Sequence, residues 1–301
     1  MYTRIIAPLD GSPLPERVVP YVRTLARELR LPVTLLQVID PNLIASFSHP
    51  AQKPHFDDIA AGMKAKSVGY LRELAPSFGE FVKVDPSVEI GNPAEAIIGK
   101  AAGDPKILIA MTTHGRSSGQ RWVMGSVAGK VLRAARNHLL LVRPDDEPVK
   151  INEEILLKTV LVPLDGSKLA EKALPVAMEL AQAIRAEIIL LRAYALAMSI
   201  YSADEDFAPQ IDQLNGRLRV EAEDYLDRKV RELKEKGIEK VSSVLLEGPG
   251  PTEIIDFAKK TPDNLVAMCT HGRSGIGRWV LGSVTERVAQ YTGDPVLIVR
   301  A

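Results

Sequence analysis

The sequence predicts an α/β protein built from two repeated doubly wound domains, each with a five-stranded parallel sheet flanked by helices. The first observation is an internal repeat, since APLDGS at residues 7–12 returns as VPLDGS at 162–167, and THGRS at 113–117 returns unchanged at 270–274. These offsets, 162 minus 7 and 270 minus 113, are 155 and 157 residues, so a whole domain is duplicated rather than a solenoid unit. The second observation is that short apolar runs alternate with longer segments of helical period in both halves.

Ten short apolar runs are predicted as strands. Their hydrophobicity is continuous rather than alternating, which is typical of parallel strands covered by helices on both faces. The predicted strands are residues 4–8, 33–39, 82–89, 107–111 and 139–142 in the first half, and 159–163, 187–193, 240–246, 265–269 and 296–299 in the second.

The first helix of each half is predicted from apolar residues spaced three or four positions apart. These residues are Val18, Val22, Leu25 and Leu29 in the first half and Ala173, Ala177, Leu180 and Ile184 in the second. Pro20 and Pro175 fall inside these helices, where a proline removes a backbone hydrogen bond, so we expect both helices to bend. A densely charged segment with an apolar stripe predicts a surface helix over 211–236.

The domains are predicted to cover residues 1–147 and 156–301, and each is long enough to bury its own core. The acidic stretch PDDEP at 144–148 has no apolar periodicity and marks a linker. Two segments, roughly 41–57 and 195–210, differ completely between the repeats. Connections of that length are typical of lids or disordered loops.

Composition argues against several classes of partner. The 38 basic residues are balanced by 38 acidic ones, so no excess positive field favours nucleic acid or a membrane surface. The chain shows no signal-peptide pattern and no spanning apolar stretch, and the single Cys269 excludes an intrachain disulfide, so we expect a cytoplasmic protein. His49 and His55 lack other ligands at metal-binding spacing, so we expect no metal site there.

The strongest local signal is a strand end followed by a glycine turn and a helix start. Strand 107–111 leads to His114-Gly115-Arg116, and Gly125-Ser126 then precedes a helix predicted from 127 to about 137. In open α/β sheets ligands bind beyond the carboxyl ends of the strands, and helix amides there favour an anion. The arrangement therefore suits a phosphate.

The sequence leaves the roles of two pairs of residues at this crevice undecided between a structural role and ligand binding. Ser126 and Ser283 could simply cap the helices that follow them. Asp10 and Asp165 could close an Asx turn or cap a helix, or could accept hydrogen bonds from a base or a ribose.

Hydrolytic motifs are not found. Asp10, His114 and Ser126 could be imagined as a triad, but no Gly-x-Ser-x-Gly sequence supports it, and we expect the histidines to hold the turn. The phosphate loop Gly-x-x-x-x-Gly-Lys-Ser/Thr is also missing from both halves.

At these residues the chain resembles the universal stress protein family over both halves. ATP-binding members carry Gly-x-x-Gly, nine residues, then Gly-Ser or Gly-Thr. Gly115 and Gly125-Ser126 match the later part of this motif, as do Gly272 and Gly282-Ser283. The resemblance implies the adenine-nucleotide alpha-hydrolase-like version of the fold, and with it a nucleotide in each half.

The resemblance also implies which residues bind that nucleotide. In the first half they are Pro8, Asp10, Val38, Met111, Thr112, Gly115, Arg116, Gly125, Ser126 and Val127. In the second half they are Pro163, Asp165, Ala193, Met268, Cys269, Gly272, Arg273, Gly282, Ser283 and Val284. Proline and aspartate would border adenine and ribose, and Val38 and Ala193 would flank the base.

The sequence departs from the family motif at its first glycine, which is Thr112 in one half and Cys269 in the other. If this position needs a positive φ or close ligand contact, the β-branched Thr112 is the worse replacement. We then expect the second site to bind more tightly, unless the Thr112 hydroxyl contacts a phosphate. Arginines could compensate by pairing with phosphate oxygens; they are Arg116, Arg121, Arg273 and Arg278.

The function implied is regulatory binding of ATP, or of ADP or AMP, with Mg²⁺ accompanying the nucleotide. Two alternatives remain, a slow ATPase using the same crevice and an interaction protein that binds no nucleotide. The resemblance further implies that strands 139–142 and 296–299 meet across a pseudo-twofold axis, forming an intrachain pseudo-dimer, with a further homodimer left open.

Overall fold

The structure is a computed structural model that describes residues 2–46, 54–114, 124–144, 150–194, 208–270 and 282–300. Residue contacts divide it into two units, one formed by residues 1–156 with Arg300 and the other by residues 157–299. The predicted domain limits of 147 and 156 stay a prediction.

The first unit is a parallel sheet with helices on both faces. Its strands are β1 (Arg4–Leu9), β2 (Val33–Ile39), β3 (Val84–Ile90), β4 (Ile107–Thr112) and β5 (Leu139–Val142). Its helices are α1 (Pro13–Glu16), α2 (Val19–Leu29), α3 (Pro41–Ser46), α4 (Pro54–Leu74), α5 (Pro93–Ala102) and α6 (Ser126–Ala134). The strand order is β3-β2-β1-β4-β5, and every described pair is parallel.

The second unit repeats this plan. Its strands are β6 (Thr159–Pro163), β7 (Glu187–Tyr194), β8 (Val241–Glu247), β9 (Asn264–Cys269) and β10 (Val296–Val299). Its helices are α7 (Ala173–Ile184), α8 (Ala208–Glu235), α9 (Gly250–Lys260) and α10 (Ser283–Tyr291). The order β8-β7-β6-β9-β10 is again parallel throughout.

The predicted fold class is confirmed, and each of the ten predicted strands is present within two residues of its predicted ends. Every residue of β4, β5, β9 and β10 is buried, which explains why the hydrophobicity of these strands is continuous. The charged segment predicted as a surface helix forms α8. Among the described helices, none has an apolar stretch long enough to cross a lipid bilayer.

The prediction that two prolines bend helices from within is wrong. Pro20 is the second residue of α2, and Pro175 is the third residue of α7. The N–H groups of a first helical turn have no acceptor inside the helix, so a proline there removes no helical hydrogen bond. Both prolines begin a helix instead of interrupting one.

The segment after β5 packs against α2 of the first unit. A guanidinium nitrogen of Arg23 donates to the carbonyl of Ile151 at 2.7 Å, and another donates to the carbonyl of Glu153. The Thr24 hydroxyl donates to the carbonyl of Ile155 at 3.1 Å. We call these residues the 151–155 segment.

Strand order places a ligand crevice in each unit. In the first unit the chain runs outward from β1 to β3, then returns to place β4 and β5 on the other side of β1. The carboxyl ends of β1 and β4 therefore flank the point where the strand order reverses, which is where open α/β sheets bind ligands. In the second unit β6 and β9 take these places.

Candidate functional site

An aspartate at the end of the first strand forms the same turn in each unit. Asp10 Oδ1 accepts hydrogen bonds from the backbone N–H of Ser12 at 2.8 Å and from its hydroxyl at 2.5 Å. Asp165 Oδ1 accepts the backbone N–H of Ser167 at 2.9 Å. The Asx-turn interpretation therefore holds in both units, and each aspartate also lines the crevice beside its turn.

A tyrosine holds the segment that follows each of these turns. Tyr70 Oη in α4 donates to Glu16 Oε1 at 2.7 Å, and Tyr225 Oη in α8 donates to Glu171 Oε1 at 2.9 Å. Burial, followed by the hydrogen bond to Glu171, raises the pKa of Tyr225 well above its ordinary value, so its hydroxyl stays protonated as a donor. The pair is repeated 54 residues apart in both units.

A helix begins at the opposite wall of each crevice. Gly125 is the N-cap residue of α6 and Gly282 that of α10, and neither helix receives a side-chain cap. The N–H of Gly125 donates to the Thr113 carbonyl, and that of Gly282 to the Thr270 carbonyl, both at 2.8 Å. The first-turn amides lack helical acceptors and together with the helix dipole favour an anion.

The interpretation of the two serines as simple caps is wrong. Ser126 and Ser283 are the first residues inside their helices, one position after the cap, and both are exposed. An N-cap side chain must precede the first helical residue to reach the amides of the first turn.

The residues that replace the first motif glycine are not strained. Among the described non-glycine residues, only Arg30, Arg185 and Asp263 have positive φ, so Thr112 and Cys269 adopt ordinary backbone conformations at their strand ends. Positive-φ strain therefore does not distinguish the two sites, and the expectation that the second site binds more tightly stays a prediction. The Thr112 hydroxyl donates to the His114 carbonyl at 2.6 Å, which commits its proton to the turn rather than to a phosphate.

His114 is part of this turn. Its ring Nδ1 pairs with the Thr113 hydroxyl at 2.9 Å, and its carbonyl accepts from Thr112. The histidine is buried, as a turn-holding role requires. Its counterpart His271 lies outside the described residues.

The first crevice is a cavity of about 430 Å³ that gathers the described residues predicted for the first half. These are Pro8, Asp10, Val38, Met111, Thr112, Gly125, Ser126 and Val127. Gly115, Arg116 and Arg121 lie outside the described residues. Sequence reasoning missed several lining residues, chiefly Leu36, Asp40, Leu43, Pro93 and Ile97. Pro93 carried a usable signal, because it follows the helix-capping Asn92 after a predicted strand.

The second crevice is smaller, about 170 Å³, and gathers the corresponding residues. These are Pro163, Asp165, Ala193, Met268, Cys269, Gly282, Ser283 and Val284. Gly272, Arg273 and Arg278 lie outside the described residues. The residues missed here include Leu191, Gly250, Ile254 and Thr285. In the described parts of both units, no group of three His, Cys, Asp or Glu side chains is arranged to hold a metal ion.

Comparisons with known proteins agree with the duplication. The profile of the family described as "Universal stress protein family" matches residues 1–143 and again residues 157–300. A universal stress protein of Methanocaldococcus jannaschii is 32% identical over 149 residues, which cover 50% of this chain and 85% of that protein. A universal stress protein of Mycobacterium tuberculosis is 24% identical over 310 aligned residues, covering 98% of this chain and 96% of that protein. The crystal structure of a universal stress protein from Archaeoglobus fulgidus has a TM-score of 0.68 at 20% identity, and covers 99% of this chain and 98% of that one.

Proposed function

This chain belongs to the universal stress protein family, and we propose that each of its domains binds an adenine nucleotide, ATP foremost, as a regulatory ligand. The observation that carries the proposal is the composition of the two crevices. In each, a helix N-terminus without a side-chain cap faces a strand-end aspartate across an apolar cavity. A nucleotide has the complementary order of parts, with an anionic phosphate group, a sugar with hydroxyl donors and a flat base.

The roles of the residues follow from this order. We assign the phosphates to the amides that begin α6 and α10, beside Gly125 and Gly282, where the helix dipole favours negative charge. Asp10 and Asp165 would accept hydrogen bonds from ribose or base. The apolar walls would hold the base; they are formed by Pro8, Val38 and Met111 in the first domain and by Pro163, Ala193 and Met268 in the second.

A metal ion would enter with the nucleotide. Mg²⁺ is commonly held by substrate phosphates, one or two carboxylates and several waters. Asp10 and Asp165 are carboxylates at the crevices, so we propose that the phosphates and waters supply most of the ligands to any Mg²⁺ bound there.

The first experiment identifies the small molecules released when freshly purified protein is denatured. We expect adenine nucleotide at one or two molecules per chain. Calorimetry with ATP, ADP and AMP then ranks the phosphate number, with GTP as a control for the base. A chain that releases no nucleotide and gives no binding heat with any of the three would contradict the proposal and favour a pure interaction protein.

Regulation and location belong to the same proposal. Nucleotide occupancy would shift the conformation or partner choice of a cytoplasmic protein, and a turnover assay separates this role from slow ATP hydrolysis. The pairing of the last strands across a pseudo-twofold axis stays a prediction.

A further inference from the structure

In the second domain, an ion pair from α8 holds the turn that carries Asp165. Lys229 Nζ lies 3.1 Å from Glu171 Oε2, and the two side chains are only 13% and 26% exposed. The other oxygen of this carboxylate, Oε1, accepts the Tyr225 hydroxyl at 2.9 Å. Glu171 is therefore held through both carboxylate oxygens, and both contacts come from α8.

Hydrogen bonds connect Glu171 to the crevice. The N–H of Glu171 donates to the Ser167 carbonyl at 3.2 Å, and the N–H of Ala170 donates to the Ser167 hydroxyl oxygen at 3.1 Å. The N–H of Ser167 in turn donates to Asp165 Oδ1 at 2.9 Å. Asp165 and Ala170 both line the second crevice. A shift of Glu171 would therefore move part of the crevice wall and the carboxylate that we assign to ribose or base.

The Lys229 ammonium is itself fixed by further contacts. It lies 3.2 Å and 3.0 Å from the two carboxylate oxygens of Glu232, and 5.8 Å from the centre of the Tyr225 ring. The Arg192 guanidinium carbon lies 4.8 Å from the centre of the same ring. A group that positions a binding residue must be held in place by its own neighbours, and Lys229 meets this requirement.

The first domain keeps the tyrosine and lacks the ammonium. Tyr70 and Tyr225 are 225 minus 70, or 155, residues apart, and each donates to the glutamate of its own turn. At the same offset, Leu74 replaces Lys229, and its side chain is buried. An apolar side chain cannot pair with a carboxylate, so Glu16 receives no ion pair from this position of α4.

We propose that Lys229 is a positioning residue for the nucleotide site of the second domain, and that it acts by fixing the Asp165 turn through Glu171. The inference rests on the proposed function, because it assigns Asp165 to the nucleotide. A turn that is already ordered loses less conformational freedom on binding, so the ion pair raises the affinity. Without the ammonium, the partly buried Glu171 carboxylate would move towards water and carry Ala170 with it.

The test measures ATP affinity by calorimetry in the full-length Gly125→Val chain. This valine blocks the helix start of the first crevice, so the remaining affinity belongs to the second. Lys229→Met keeps the approximate length of the side chain and removes its charge, and should weaken ATP binding on the order of fivefold. Glu171→Ala removes both contacts with α8 and should weaken binding by at least as much.

A double-mutant cycle shows whether Lys229 acts through Glu171. If it does, the chain that carries both Lys229→Met and Glu171→Ala should bind ATP no more weakly than the chain with Glu171→Ala alone. The matched control is Lys234→Met, because Lys234 is exposed on the same helix, and this change should leave the affinity unaltered. Urea unfolding reports the stability of each variant separately.

Two results would overturn the inference and leave the proposed function intact. A folded Lys229→Met variant that is less stable but binds ATP as tightly as its parent would show that the ion pair only packs α8 against the domain. Additive losses in the cycle would show that Lys229 acts independently of Glu171. A Gly125→Val chain that binds no ATP would instead overturn the proposed function of the second crevice, and this inference with it.

A comparison between the domains decides the question if Lys229→Met does not fold. Glu171→Ala should weaken ATP binding to the second crevice more than Glu16→Ala, measured in the Gly282→Val chain, weakens binding to the first. The reason is that Glu16→Ala removes the tyrosine contact alone. Equal losses in the two crevices would overturn the proposal.

Discussion

The two crevices share one backbone plan but differ in size. The first measures about 430 Å³ and the second about 170 Å³, although the second has the smaller lining residues. Val38 and Pro93 of the first are replaced by Ala193 and Gly250. A Cβ atom placed on Gly250 would lie 3.7 Å from the Ala193 Cβ, so the start of α9 packs directly against β7. The first crevice is also lined by Asp40 and Leu43 at the start of α3, and the counterparts of these two residues lie outside the described part of the second domain.

The two domains also hold their turns with different side chains. In the first, the Thr112 hydroxyl donates to the His114 carbonyl at 2.6 Å. In the second, the Thr285 hydroxyl of α10 donates to the Cys269 carbonyl at 2.9 Å. The described backbone hydrogen bonds of the two turns are the same. The two domains therefore share the backbone pattern of the turn and differ in the hydroxyl group that stabilises it.

The largest effect is expected from a side chain placed at the helix start. Gly125→Val should weaken nucleotide binding in the first domain by more than about tenfold, and Gly282→Val should do the same in the second, because each valine projects where phosphates would meet backbone amides. Calorimetry on the two single variants assigns an affinity to each crevice. The control is Gly129→Ala within α6, where the nearest side-chain atom to an added Cβ belongs to the flexible Arg133, at 3.4 Å. Unchanged affinity in a folded double valine variant would refute the site.

The next effect concerns the 151–155 segment on α2. Arg23→Ala removes charge-assisted hydrogen bonds to the carbonyls of Ile151 and Glu153 and should lower the stability of the first domain by about 2 kcal/mol. The equivalent residue in the second domain, 155 positions on, is Met178. Peptide-resolved hydrogen exchange should show faster exchange in the first domain only.

The matched control for this change is on the same helix. Arg27→Ala breaks an ion pair with Glu154 between side chains that are 47% and 64% exposed, and should cost less than about 1 kcal/mol. Equal losses for both arginine variants would show that the carbonyl contacts of Arg23 stabilise the domain no more than an exposed ion pair does.

Removing either threonine hydroxyl should destabilise its own domain and leave the stability of the other domain unchanged. Thr112→Val should cost the first domain about 1 kcal/mol, and Thr285→Val should cost the second a similar amount, because each leaves a buried carbonyl without its donor. Exchange rates at the start of α6 and α10 measure the two effects separately. A variant in which both domains lose stability would contradict the assignment of one hydroxyl hydrogen bond to each domain.

The smallest expected effect depends on pH. Asn137 donates its amide to the carbonyls of Asp104 and Ile107, and the equivalent position in the second domain, 157 residues later, is Asp294. There Asn264 supplies the amide instead, to the carbonyl of Thr261 at 2.7 Å.

Burial raises the pKa of Asp294, although hydrogen bonds from Asn264 and Thr292 and the charge of Lys259 oppose this. A raised folded-state pKa gives stability that is present below the unfolded pKa and is lost as the pH rises through the folded pKa. Asp294→Asn should therefore stabilise the chain at pH 7 relative to wild type, and the gain should shrink as the pH falls into the range where aspartate is protonated. Urea unfolding at pH 7 and at pH 3.5 measures it, and a gain that is independent of pH would contradict the explanation.

Much of the fold could be predicted because its signals are local. Continuous apolar runs gave the strands, and apolar spacing placed α2 and α7. The effect of the prolines was predicted wrongly because the sequence does not show where the helix begins. A start one residue before Pro20 and a start four residues before it are equally compatible with the apolar spacing. The missed crevice residues Leu36 and Ile97 look like ordinary core residues, since strand and helix periodicity alone explains them.

The positions of Thr112 and Cys269 were predictable, but their backbone conformation was not. A motif aligned to glycine suggests positive φ, and only the structure shows an ordinary strand end there.

The 151–155 segment has a consequence for synthesis on the ribosome. Domains generally fold as units during translation, with the N-terminal one first. All five strands of the first sheet are present once β5 ends at Val142, and Arg23 then has an acceptor in the Ser77 carbonyl at 3.1 Å, but its bonds to Ile151 and Glu153 and the Thr24 bond to Ile155 need later residues. A nascent chain must therefore extend through residue 155 before the first domain can form all its contacts, whereas a fragment cut at 147 would contain the whole sheet, keep Arg23 on Ser77 and leave the Thr24 hydroxyl without the Ile155 carbonyl.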